Sequence, residues 1–90
     1  MDAEKSLNRL RSKVAKVDDA ILKLLIKRFK ITDEVGRLKK KHGLSVVYPA
    51  IEKKMIARLI KNSHGHLDKE VVVNLYTQVF THSKHRQSKI

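Results

Sequence analysis

Apolar residues recur at spacings of three and four along the first half of the chain, at Leu7, Leu10, Val14, Val17, Ile21, Leu24, Ile31, Val35 and Leu38. That period places them on one stripe of a helix and predicts a single long amphipathic helix with a seam of coiled-coil type. Helix 1 is predicted over about residues 4–41. Gly36 falls inside it and costs about 1 kcal/mol relative to alanine unless close packing or a ligand compensates. His42-Gly43 supplies the stop, with Gly43 suited to a left-handed cap.

Little else interrupts helix, since the chain holds three glycines and one proline. Leu44 to Tyr48 is β-branched enough for a strand, but it has no second strand to pair with and is read as a loop. Helix 2 is predicted from near Pro49, a residue favoured in a first turn, to about Asn62, with Met55, Ile56, Leu59 and Ile60 facing inward. Ser63-His64-Gly65-His66 breaks it. Asp68 is the predicted N-cap of helix 3, which carries Val72, Leu75, Tyr76, Val79 and Phe80 on one face and runs to about Arg86 or beyond. The expected fold is all-α, one long helix and two shorter ones in a single domain over residues 1–90. A chain of 90 residues buries a limited share of its surface, and an apolar seam wants a partner, so an intertwined homodimer is expected.

The absence of cysteine excludes disulfides, thiolate metal sites and a cysteine nucleophile. The mixed-charge N-terminus leads into no apolar run of signal-peptide or membrane-span length, and a cytoplasmic protein is expected. Lys and Arg number 21 against 9 Asp and Glu, a net charge of +12. Such a field attracts nucleic acid, an acidic membrane surface or a small anionic substrate, and position has to choose among them.

Extended as a strict heptad, the seam includes position 28, where Arg28 breaks an otherwise apolar row. A cation there marks a buried ion pair or a ligand site. Lys39 follows eleven residues later, on nearly the same face and about 16 Å along the axis. Two inward cations make an anion site. Glu52 shares the inner stripe of helix 2, and Ser83 and Gln87 extend the inner stripe of helix 3. Arg11 adjoins the seam about 26 Å from Arg28, too far for one small ligand. An antiparallel pairing of two copies about a dyad near Asp19 brings Arg11 of one level with Arg28 of the other, creating two composite sites per dimer.

Leu7-x-x-Leu10-Arg11, Asp18-Asp19, Leu24-Leu25-x-x-Arg28, Glu34-Val35-Gly36 followed by Lys39, and Glu52 with Arg58-Leu59 together resemble the all-α chorismate mutase family, from about Leu7 to Gln87. The likeness is to the bacterial mutases that occur as free small domains or fused to prephenate dehydratase or dehydrogenase. It implies conversion of chorismate to prephenate in phenylalanine and tyrosine biosynthesis, without cofactor or metal. By the same resemblance, Arg28 and Lys39 of one chain and Arg11 of the other hold the substrate's carboxylates. Glu52 accepts from its ring hydroxyl, Ser83 helps hold a carboxylate, and Gln87 with Lys39 donates toward the ether oxygen. The family usually carries an aspartate and then an arginine just ahead of the glutamate, where this chain reads Tyr48-Pro49-Ala50-Ile51-Glu52. That departure leaves isochorismate pyruvate-lyase or aminochorismate mutase chemistry as alternatives, with Glu52 favouring a mutase.

Two further readings come from other classes. A basic helical dimer can contact nucleic-acid phosphates, but that gives no reason for Arg28 in a seam or for polar residues on inner faces. A purely structural dimer would pair Arg28 with an acid such as Asp18 of its partner. Of the histidine pairs, His64 with His66 lies in a predicted loop and His82 with His85, spaced i, i+3 on a helix, lacks a nearby acidic ligand; both are read as incidental, not as a metal site.

Overall fold

The computed structural model describes residues 2–90, so Met1, at the head of the mixed-charge N-terminus, lies outside the described residues. Three helices follow in order, α1 (Ala3–Lys41), α2 (Pro49–Asn62) and α3 (Lys69–Ser88), with no strand among the described residues. The all-α fold of one long and two shorter helices is the one the apolar spacing predicts. The chain divides into two compact units, Met1–Ile31 and Thr32–Ile90.

In the first unit, α1 is largely exposed. Residues 2–24 are all exposed, and only Leu25, Arg28 and Phe29 reach half-burial. The seam residues stand open: Leu7 is 44% exposed, Val14 58% and Leu24 65%. In proteins a helix draws most of its stability from packing its apolar face and not from propensity. Covering half-exposed aliphatic side chains contributes roughly 1 kcal/mol apiece, so this stripe has much to gain from a partner surface.

In the second unit, the end of α1 is closed by the backbone. Gly43 takes a left-handed conformation (φ +64°); its amide donates to the Lys40 carbonyl at 3.2 Å, and the Leu44 amide to that of Lys39 at 2.8 Å. This is the double closure of a Schellman cap, with glycine where the sequence placed it. α2 starts on Pro49, whose missing N–H costs nothing in a first turn. Asp68 occupies the N-cap of α3 in an extended conformation, but its side chain makes no capping hydrogen bond. The first intrahelical bond runs from the Val72 amide to the Asp68 carbonyl at 3.2 Å.

α2 packs on α3. Val72 and Phe80 are buried, Ile56, Leu59, Ile60, Tyr76 and Val79 are half-buried, and the Tyr76 and Phe80 rings meet at a tilt with centroids 6.0 Å apart. Met55 and Leu75, predicted to face inward, are 36% and 55% exposed. One neighbouring helix covers only a narrow stripe, and these two residues fall at its edge.

The cap glycine provides a check. No atom lies within 4 Å of a Cβ built on Gly43, so the position demands the backbone angle and not the space. Gly43→Ala is expected to lower the unfolding free energy by about 1 kcal/mol, with Gly43→Asn recovering part of it, in urea titrations at fixed protein concentration.

Candidate active site

Four of the six residues singled out in the sequence lie in the second unit. Lys39 comes from the last turn of α1, Glu52 from the first turn of α2, and Ser83 and Gln87 from the second half of α3. The inner stripe of α3 carries its polar residues into full burial: Ser83 is 5% exposed and Gln87 8%. Gly36 is what admits Gln87. A Cβ at Gly36 would sit 2.7 Å from Gln87 Cγ and 3.0 Å from both Gln87 Cβ and Ile90 Cδ1. Close packing thus accounts for a glycine inside a long helix.

With α3 drawn in, the Lys39 ammonium meets Gln87. Nζ donates to Gln87 Oε1 at 3.3 Å and to the Val46 carbonyl at 3.3 Å. It also stands 4.7 Å from the centroid of the Tyr48 ring, within cation–π range. One side chain therefore ties α1 to α3 and to the loop between α1 and α2. Since Oε1 of Gln87 accepts from Lys39, the amide turns its Nε2 hydrogens toward other acceptors. Burial lowers the Lys39 pKa from the usual 10.5, and the negative charge of Glu52 works against that shift.

Glu52 pairs with Lys84, Oε1 to Nζ at 2.9 Å. It also borders an apolar groove of about 440 Å³ between α2 and α3, lined by Pro49, Ile56, Ile60, Val73 and Phe80 among others. Ser83 Oγ lies 3.5 Å from the Thr32 hydroxyl of α1. One turn on, Arg86 grips Asp33 as a two-pronged fork, Nε to Oδ1 at 2.9 Å and Nη2 to Oδ2 at 2.6 Å. These hydrogen bonds hold the Asp33 carboxyl below its ordinary pKa. Because the folded state lowers that pKa, the fork's stabilisation is in place above the ordinary carboxylate range and fades as acid protonates Asp33.

The remaining two residues belong to the first unit. Arg28 is half-buried on α1. Arg11 is exposed, with Nη1 3.4 Å from Asn8 Oδ1 of its own helix. Sequence reasoning missed Lys84, Tyr48 as a seat for Lys39, Thr32, and the Asp33–Arg86 fork. Only the first had a signal: a lone inward acid calls for a cation, and Lys84 adjoins Ser83 in sequence.

Among the described residues no helix is long and apolar enough to cross a membrane, and no group of three or more His, Asp and Glu is placed to hold a metal ion. The fold is all-helical, and its second unit holds the Lys39 ammonium against the buried Gln87 amide, with Ser83 buried one turn earlier on α3 and Glu52 in the first turn of α2. Residues 10–88 match the family model for chorismate mutase type II. The chain is 41% identical over 59 residues to the T-protein of Enterobacter agglomerans, covering 66% of this chain and 16% of that protein. It is 30% identical over 88 residues to the bifunctional chorismate mutase/prephenate dehydratase of Aquifex aeolicus, covering 93% of this chain and 24% of that one. This chain thus spans about a quarter or less of the length of these relatives. It belongs to the chorismate mutase type II family.

Gly36→Ala tests the close approach. At an open helical position the change would add about 1 kcal/mol, whereas forcing a methyl into packed atoms costs about 1–3 kcal/mol. A net loss of stability in urea is expected; a gain would show that α3 shifts aside freely.

Proposed function

We propose that this chain rearranges chorismate to prephenate, as a cytoplasmic homodimer serving aromatic amino-acid biosynthesis. The observation that carries the reading is the pairing of Lys39 with the buried amide of Gln87, in a chain of the chorismate mutase type II family.

The chemistry asks little of a protein beyond position and charge. An intramolecular Claisen rearrangement breaks an ether C–O bond while a C–C bond forms, with no nucleophile and no redox step. Catalysis comes from holding the compact reactive conformer and stabilising the negative charge that grows on the ether oxygen. Gln87, its carbonyl engaged by Lys39, offers N–H donors to that oxygen, and the ammonium of Lys39 adds a positive field. A neutral amide donates without first being protonated. Glu52 accepts the ring hydroxyl, Ser83 contacts a carboxylate, and Arg28 joins Lys39 in gripping the carboxylates, for which a guanidinium fork is well shaped.

The second copy of the chain enters through α1. Its exposed apolar stripe supports self-association, and an antiparallel pairing near Asp19 would deliver Arg11 of one copy level with Arg28 of the other.

Chorismate consumption by the purified chain, with products identified, decides the reading. Prephenate is expected from the wild type, with kcat/KM lower by about 10²–10³ in Gln87→Ala and in Lys39→Ala. Pyruvate released from isochorismate in place of prephenate from chorismate would move the chain to lyase chemistry, and no turnover of either would refute both. The pH profile adds a second expectation. Since kcat/KM reports the free enzyme, it should vary little on the acid side and fall on the alkaline side with a midpoint below 10.5, where burial makes Lys39 lose its proton early. In Gln87→Glu, activity is expected only where the new carboxyl is protonated.

A further inference from the structure

Glu52 raises an electrostatic difficulty for the proposed substrate. Chorismate carries two carboxylates, and an ionised glutamate facing a dianion repels it unless a cation stands with it. On α2 the residue before Glu52 is Ile51, which offers none. The cation comes from α3: Lys84 Nζ lies 2.9 Å from Glu52 Oε1, with the two side chains only 32% and 28% exposed. Lys84 directly follows buried Ser83 and precedes buried Gln87 by three residues, so it projects from the same end of the helix as the candidate site residues.

The geometry of the pair suits a supporting role. Contact is made at Oε1, and a carboxylate accepts through two oxygens, so Oε2 can take a substrate hydroxyl while the ion pair stays closed. The field of Glu52 also reaches Lys39; the carboxylate thus acts on both ammonium groups.

We propose that Lys84 is a positioning residue of this site, whose ammonium fixes the Glu52 carboxylate for the substrate's ring hydroxyl and offsets its charge toward a dianionic substrate. The proposal rests on the chorismate reading above. It assigns Lys84 an action through Glu52, not a contact with the reacting atoms.

A double-mutant cycle in kcat/KM separates that role from a structural one. The chains required are wild type, Lys84→Ala, Glu52→Gln and the double variant, with Lys84→Arg as the conservative replacement and Lys84→Gln in place of alanine should that chain fold poorly. Lys84→Ala is expected to lower kcat/KM about tenfold or more, the usual scale for loss of a sheltered charge-assisted hydrogen bond, with much of the effect in KM. Lys84→Arg should stay within a few-fold of wild type, and removing Lys84 from the Glu52→Gln chain should change little further. Equal losses in both backgrounds would overturn the proposal, because Lys84 would then act independently of Glu52. A lowered melting temperature with unchanged kinetics would overturn it as well, leaving Lys84 as a strut between α2 and α3. Chorismate turnover by the wild type keeps these failures distinct from failure of the functional reading; without turnover both fall.

Discussion

The approach of Gln87 to Gly36 is the contact on which the second unit's candidate site depends. Helix interiors disfavour glycine, and here its hydrogen is the only substituent that fits, because the Gln87 side chain occupies the space of a Cβ. With α3 seated at that depth, three polar meetings follow along neighbouring turns: Gln87 with Lys39, Ser83 with Thr32, and Arg86 with Asp33. Each joins α3 to α1 across about fifty positions of sequence. The packing is thus inseparable from the chemistry, since the glycine that lets two helices touch also sets the amide beside the ammonium.

Electrostatics sharpen the same end of the helices. Burial makes the Lys39 charge costly, and the compensation comes from the Val46 carbonyl, the Gln87 carbonyl, the face of Tyr48 and the field of Glu52. A cation held this way is preorganised, with its partners already in place, which is what the proposed anion site requires. The net charge of +12 adds long-range attraction for any anion, without specifying which. Specificity has to come from the handful of groups on the inner faces.

Much of this was legible before any coordinates. The spacing of Leu7 to Leu38 marked α1 nearly to the residue, His42-Gly43 marked its end, and Pro49 the start of α2. Gly36 was legible as a glycine in need of a reason, and Ser83 and Gln87 as polar residues on an inner stripe. What stayed hidden were pairings between distant segments. Periodicity tells which face of a helix is inward but not which residue of another helix it meets, so the Asp33–Arg86 fork and the seat of Lys39 over Tyr48 left no local mark, and the inward Glu52 called for a cation without naming Lys84. Met55 and Leu75 show the converse limit: an apolar residue beside an inner stripe is not thereby covered. Asp68 occupies the N-cap position without its side chain making the capping hydrogen bond.

The open stripe of α1 is the strongest reason to look for a second copy, and the most direct test of a site shared between chains is complementation. Two inactive variants, Arg11→Ala and Gln87→Ala, would be co-expressed and their activity compared with either alone. If each site draws Arg11 from one chain and Gln87 from the other, a mixed dimer holds one intact site, and random pairing restores about a quarter of the wild-type rate. Recovery near that level would establish the shared site; no recovery, with mixed dimers shown to have formed, would contradict it.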